Sequence, residues 1–379
     1  MPYDTSLPSL PYPSRQAGLI PDDIHGVALD WYINETPLLS RLAREPVGSP
    51  TFKIVSETYR PRSQLLAATI ADGSTTSATF ADTSYYVIGD VLEIDDEHVM
   101  ITAKTSSTVV AIKRGYANTT PAAHTSGKVA YLMGQHATGA DVDTVGAAKL
   151  PNVSTQYVET IQQVVQVGGK HEASTNYVSG FGASPFRHDI AQAVHSVVTD
   201  FEYRMCYGRG QEATAIEPRQ QQKGLKSILT TNNVTNPANA SVYKPSDLIR
   251  DAFQPIHSNG GTPTLLLCSD DFMTYFAVWG MNPMRLEAGA NAFGTPIKLF
   301  YIPFHGGINV VPSPQLRPGT VVALQENECR VRIMRPLQEL PRGRRGDAYE
   351  ADVLIEGAIE VRNEQHHSWV SGITGVAPE

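Results

Sequence analysis

Charge and cysteine are what this chain of 379 residues has least of. Its 30 basic and 38 acidic side chains make up 18% of the residues, against about a quarter in a typical soluble domain. A surface so thinly charged implies that much of it is covered by partners. The balance is −8, so the attraction to phosphate that dominates nucleic-acid binding is absent at the level of the whole chain. Cys206, Cys268 and Cys329 are odd in number, far apart and without CxxC spacing, which argues against a disulfide framework or a zinc site and makes a reducing compartment the default. No apolar run approaches the ~18 to 20 residues needed to span a bilayer. The start, MPYDTSLPSLPYPSR, has an early Asp4 and four prolines but no basic or apolar run, so it does not read as a secretory signal. The Asn-x-Ser/Thr triplets at Asn34, Asn118, Asn152, Asn233 and Asn239 then carry no meaning.

The common signatures of catalysis are missing too. There is no GxGxxG after a strand, no GxxxxGK[ST], HExxH, GxSxG or EF-hand loop, so no catalytic residue, cofactor or metal site is expected. Asp95, Asp96, Glu97 and His98 cluster, but without EF-hand spacing they read as a solvated hairpin turn. His366 and His367 lack accompanying ligand spacing and read as structural. The Met and aromatic residues of Phe272 to Trp279 read as core. Arg345-Gly346-Asp347 mimics an adhesion triplet, and without an export signal is taken as chance. Arg342, Arg344 and Arg345 form the most basic spot. A subunit interface or a mobile hairpin tip accounts for them equally well.

What is present is punctuation and order. Thirty glycines and 26 prolines favour turns and short strands over long bundles. Residues 1–25 read as an extended arm and 26–72 as an anchor segment followed by an alternating strand, Thr51 to Tyr59. Short strand-like runs (Val91 to Ile94, Val99 to Ala103, Thr108 to Ile112, Lys128 to Met133) mark 73–150 as a small all-β module. In 151–183, Tyr157 to Val167 is strand-prone and is expected to pair with Thr51 to Tyr59. The clearest helix follows. Ser184 and Pro185 set its start and Gly208 its stop, and Phe186, Ile190, Val194, Val197, Phe201 and Met205 form one apolar stripe. After 184–243, residues 244–318 read as mixed α/β and 319–379 return to strands, with Val331 and Ile333 alternating against Arg330 and Arg332.

Arm, β ribbon, long capped helix, mixed domain and returning strands, in that order, resemble the tailed-phage major capsid proteins of the Hong Kong 97 fold. The C-terminal stretch from Arg335-Pro336-Leu337 through Gly346-Asp347-Ala348, Val353 to Val361, Arg362-Asn363 and His366 to Ile373 is similar to the SU-ten-type family of such proteins. The resemblance implies an α+β fold with N-arm (1–25), an anchor segment and the first half of the extended loop (26–72, the loop from Pro50), a β insertion (73–150), the return of the extended loop (151–183), spine helix and peripheral domain (184–243), axial domain (244–318) and axial or peripheral strands (319–379). It implies a non-enzymatic shell protein, assembled in the host cytoplasm as hexamers and pentamers into an icosahedral head around double-stranded DNA. The implied partners are further copies of the chain, a separate scaffolding protein, since the arm is too short for a self-cleaved one, a portal and decoration proteins. DNA would be contacted only weakly and no membrane at all. Two other classes stay open: a tail or fibre-type protein whose β module binds a receptor or glycan, and a hydrolase with an unrecognised site.

Overall fold

A computed structural model of the chain describes residues 36–56, 60–135, 152–173, 184–279, 299–302, 306–343 and 346–376. It divides into two compact units, Met1–Ile54 with Thr155–Glu379, and Val55–Ser154.

The larger unit is organised by the helix Pro185–Tyr207. The Ser184 hydroxyl caps it by accepting from the Arg187 N–H at 3.3 Å, and Pro185 fills the first turn, where no donor is needed. The apolar stripe faces inward as expected: Val197, Phe201 and Met205 are buried, and Phe186, Ile190 and Val194 pack on the same cluster. The helix ends at Gly208 for a reason other than a left-handed cap, since its φ is −53°. The Gly224 N–H donates to the Gly208 carbonyl at 2.9 Å, and a Cβ at Gly208 would run into the Gln222 carbonyl. Glycine is needed there for close approach of two backbones.

Against the helix lies a four-stranded sheet in the order Ala43–Pro46, Cys329–Pro341, Ala348–Val361, Glu159–Gly168. The first pair is parallel and the others antiparallel. Ile161, Val165, Val167, Val331, Val353, Ile355 and Ile359 supply its inner face. This corrects the expected pairing. Thr51–Ser56 pairs with Asn152–Tyr157, and Glu159–Gly168 pairs with Ala348–Val361. Ile161, Val165 and Val167 are in phase, and only a place over the helix buries all three.

The mixed region forms a six-stranded sheet in the order Asn233–Thr235, Ser368–Ser371, Val321–Leu324, Leu265–Cys268, Gly306–Pro312, Leu299–Ile302. Its central strands are buried on both faces, hence the unbroken apolar runs LLLC and VVAL. Leu265, Leu267, Val322, Leu324 and Trp369 join the cluster of the long helix. Leu266, Cys268, Val321, Ala323 and Val370 face a second layer, the helical run Pro245–Ser258 and the helix Asp270–Trp279.

The smaller unit is all β. Its sheet runs Ser63–Leu65, Val129–Gln135, Asp90–Ile94, Glu97–Lys104, Val109–Tyr116, Ser77–Thr79. Leu66 bridges Phe80 and the Ala67 N–H donates to the Thr79 carbonyl at 2.9 Å, so the outer strands meet and the sheet closes into a small barrel. One cluster fills it, with Leu66, Ile70, Phe80, Leu92, Ile94, Val99, Ile101 and Val110 at its centre.

Candidate functional site

The most distinctive surface chemistry lies on the outer face of the four-stranded sheet. Along Ala348–Val361, the outward positions include Asp352, Glu356 and Glu360, which a period of two places on one face. Each carboxylate is covered by arginine from the adjacent strand Cys329–Pro341, from Arg342 just past it, or from Arg362 just past its own strand. Arg332 and Arg362 hold Glu360, Arg335 holds Glu356 through two nitrogens, and the Arg342 Nε donates to Asp352 at 2.6 Å. Glu45 on the short parallel strand pairs with Arg330 and Arg332. The Arg335 guanidinium, with Thr160, holds the Glu356 carboxyl below its usual range despite burial. Burial pushes the Glu360 carboxyl up, but Arg332 and Arg362 outweigh it and lower it. The carboxylates are buried and the more exposed arginines lie over them, joined by charge-assisted hydrogen bonds.

Arg342 thus stands just past the end of Cys329–Pro341 with its side chain 44% exposed. Arg344 and Arg345, with Arg345-Gly346-Asp347 as a triplet, fall wholly or partly outside the described residues.

A second network lies in the β unit, at the turn read as solvated. Asp95 and Asp96 do form the hairpin tip, with Asp95 at φ 52°. Glu97, however, is buried. It accepts two bonds from Arg114 at 2.7 Å, one from the Gly115 N–H at 3.0 Å and one from the Ala122 N–H at 2.9 Å. The two ring nitrogens of His124 lie 3.0 Å from Asp95 and from Glu97, and Lys128 closes the chain at 2.8 Å from Asp95. Burial pushes the Glu97 carboxyl up, but Arg114, the two backbone donors and His124 overcome it and hold it at about 2. The sequence carried a signal for this: Glu97 is in phase with Val99 and Ile101, the inward positions of its strand.

Glu202 was also missed. It follows Phe201 on the long helix, is fully buried, and accepts from the N–H groups of Leu38 (3.2 Å) and Leu39 (3.0 Å), where the short helix Pro37–Arg41 has no cap of its own. It takes the place of a cap from 163 residues away. Burial, opposed by those two donors, pushes its carboxyl up to about 7.

His366 and His367 hold structure. His367 is buried, its Nδ1 accepts from the Gln325 N–H at 3.1 Å and its Nε2 donates to the Arg362 carbonyl at 3.1 Å. Burial lowers its pKa to about 4, so it is neutral. His366 meets Glu328 at 2.9 Å. All three cysteines are buried and free, with burial raising each thiol. Among the described residues no cluster of His, Cys, Asp and Glu suits a metal ion. A cleft of about 1260 Å³ in the larger unit is lined by Glu159, Arg204, Arg219, Gln220, Arg335 and Glu356 among others, with no His, Cys or Ser. Two ion pairs line it, Glu159 with Arg204 and Glu356 with Arg335, and the Thr160 hydroxyl donates to Glu356 at 2.8 Å.

These networks tie strands, turns and chain ends to one another. A family model described as the SU10 major capsid protein matches residues 10–374. The chain belongs to the SU10 major capsid protein family. This capsid protein has the Hong Kong 97-type fold, as solved structures also indicate. A cyanophage A-1(L) capsid subunit superposes with a TM-score of 0.52 at 11% identity, covering 94% of this chain and 98% of that one. The holo-SrpI encapsulin of Synechococcus elongatus PCC 7942 gives 0.50 at 11% identity, covering 97% and 96%. No curated protein matches by sequence. The chain is a major capsid protein of a tailed phage, a structural component of the virion that assembles into multimeric shells.

Proposed function

We propose that this capsid protein assembles in the host cytoplasm, as hexamers and pentamers, into the icosahedral head that encloses double-stranded DNA, and that it has no enzymatic activity. The observation that carries the reading is the family match over residues 10–374. The layering supports it: one capped helix is packed between the four-stranded sheet and one face of the six-stranded sheet. On this reading residues 1–25 are the N-arm, 26–72 an anchor segment and the first half of the extended loop, 73–150 its inserted β module and 151–183 the return of the loop. Residues 184–243 are the spine helix and peripheral domain, 244–318 the axial domain and 319–379 the returning strands. Arg342, Arg344 and Arg345, between Cys329–Pro341 and Ala348–Val361 in the sequence, are proposed as a contact with a neighbouring subunit. A separate scaffolding protein, a portal and decoration proteins are the proposed partners.

The outer sheet face bears on DNA contact as well. Each of its arginines is already engaged by Glu45, Asp352, Glu356 or Glu360, which weakens the positive field available there to phosphate. Negative-stain imaging of the expressed chain, alone and with its scaffolding protein, tests the proposal. Shells, hexamers or pentamers are expected, and a stable monomer that binds sugar would overturn it.

A further inference from the structure

The barrel of the smaller unit hides most of its apolar side chains, but Leu65, Ile88, Tyr131 and Met133 stay exposed. On the strand Val129–Gln135, side chains alternate inward and outward, and the outward ones include Tyr131, 53% exposed, and Met133, 51% exposed. Leu65, 58% exposed, lies on the neighbouring strand directly across from Val129, and Ser63 lies across from Tyr131. Leu65, Val129, Tyr131 and Met133 therefore form one continuous strip on the outside of the barrel. The paired neighbours of Tyr131 are Ser63 and Glu93, so a single carboxylate borders the strip there.

The strip is not needed by the barrel, whose core is complete without it. Four such side chains expose on the order of 300 Å² of apolar surface, the size at which a patch on a monomer marks an interaction site. That is well short of the roughly 800 Å² per partner that a stable pair requires. Such a strip cannot hold two free subunits together, but it suits one contact among many in a shell. Charge favours the same occupant. Two copies of a chain with a net charge of −8 repel each other in general, and they approach at least cost where the surface is apolar.

We propose that Leu65, Val129, Tyr131 and Met133 form a docking strip for a neighbouring copy of this chain, covered only on assembly. The proposal rests on the shell-forming reading above. It assigns the small β unit to contacts between subunits instead of to glycan binding.

The natural cysteines are all buried, so a Tyr131→Cys variant carries one accessible thiol. Maleimide labelling of that variant is compared in the unassembled chain and in shells assembled from it. Labelling at least tenfold slower in the shells is expected, with rapid labelling of the free chain. A Tyr131→Ser, Met133→Ser double variant should keep the wild-type far-UV spectrum and form shells that dissociate at lower urea. Equal labelling rates, slow labelling of the free chain, or protection that appears only when a different protein is bound would each overturn the strip while leaving the capsid reading standing. Failure of the unmutated chain to form any shell would instead overturn the reading on which the strip depends.

Discussion

Replacing Glu202 by Gln should remove a pH dependence from the stability of the larger unit. In the folded chain the Glu202 carboxyl titrates at about 7, and in the unfolded chain near 4.3. Between those values the folded state holds the extra proton, so stability falls as pH rises from about 4.3 to about 7 and is flat beyond. A shift of this size corresponds to about 4 kcal/mol, at about 1.4 kcal/mol per pH unit. Glutamine is neutral throughout and removes that dependence. It also turns one acceptor into a donor facing a backbone N–H, because the Leu38 and Leu39 N–H groups use one oxygen each, at a cost of about 1 kcal/mol. The expected result is a crossover: Glu202→Gln is less stable than wild type by about 1 kcal/mol near pH 4 and more stable by about 3 kcal/mol at pH 8. Urea unfolding of the unassembled subunit, followed by tryptophan fluorescence, reads it directly. Trp369 shares a core cluster with Phe201 and Leu38, and none of the three tryptophans lies in the β unit. Parallel pH profiles for the two proteins would refute the reasoning.

Arg114→Met strands the buried Glu97 carboxylate and should cost the β unit about 3 to 5 kcal/mol; hydrogen exchange of residues 60–135 should rise while the Trp369 signal is unchanged, and uniform protection would contradict it. Phe201→Ala empties a fully buried site between the long helix and the sheet, with an expected loss of about 3 to 5 kcal/mol in the same urea assay. Gly319→Ala combines a φ of +68° with a Cβ driven into the Ile373 carbonyl, and its unfolding midpoint should fall by the equivalent of more than about 1 kcal/mol.

Much of the fold was legible because local rules acted alone. Ser184-Pro185 and the stripe from Phe186 to Met205 specify the long helix whatever surrounds it. The strands of the β unit were found near Val91 to Ile94, Val99 to Ala103, Thr108 to Ile112 and Lys128 to Met133 because turns separate them sharply. Pairing was less accessible. Tyr157 to Val167 is an evident strand, but its partner is chosen by burial over a helix whose position no local pattern reveals. The candidate chemistry was hardest to read, because it depends on distant pairs. Glu97 becomes a buried acceptor only when Arg114 and His124 arrive, and Glu202 becomes a cap only when Leu38 folds back onto the helix. The pairing of Arg342 with Asp352 was likewise hidden, although the alternation of acids along Ala348–Val361 was in plain view.

The central claim is that copies of this chain form the head. Cryo-electron microscopy of the assembled particle tests it most directly. The account predicts a closed icosahedral shell whose hexameric and pentameric positions are all fitted by this chain, with the long helix, both sheets and the β barrel resolved in each copy. A particle in which the chain occupies only the tail, or a few copies at one vertex, would contradict it.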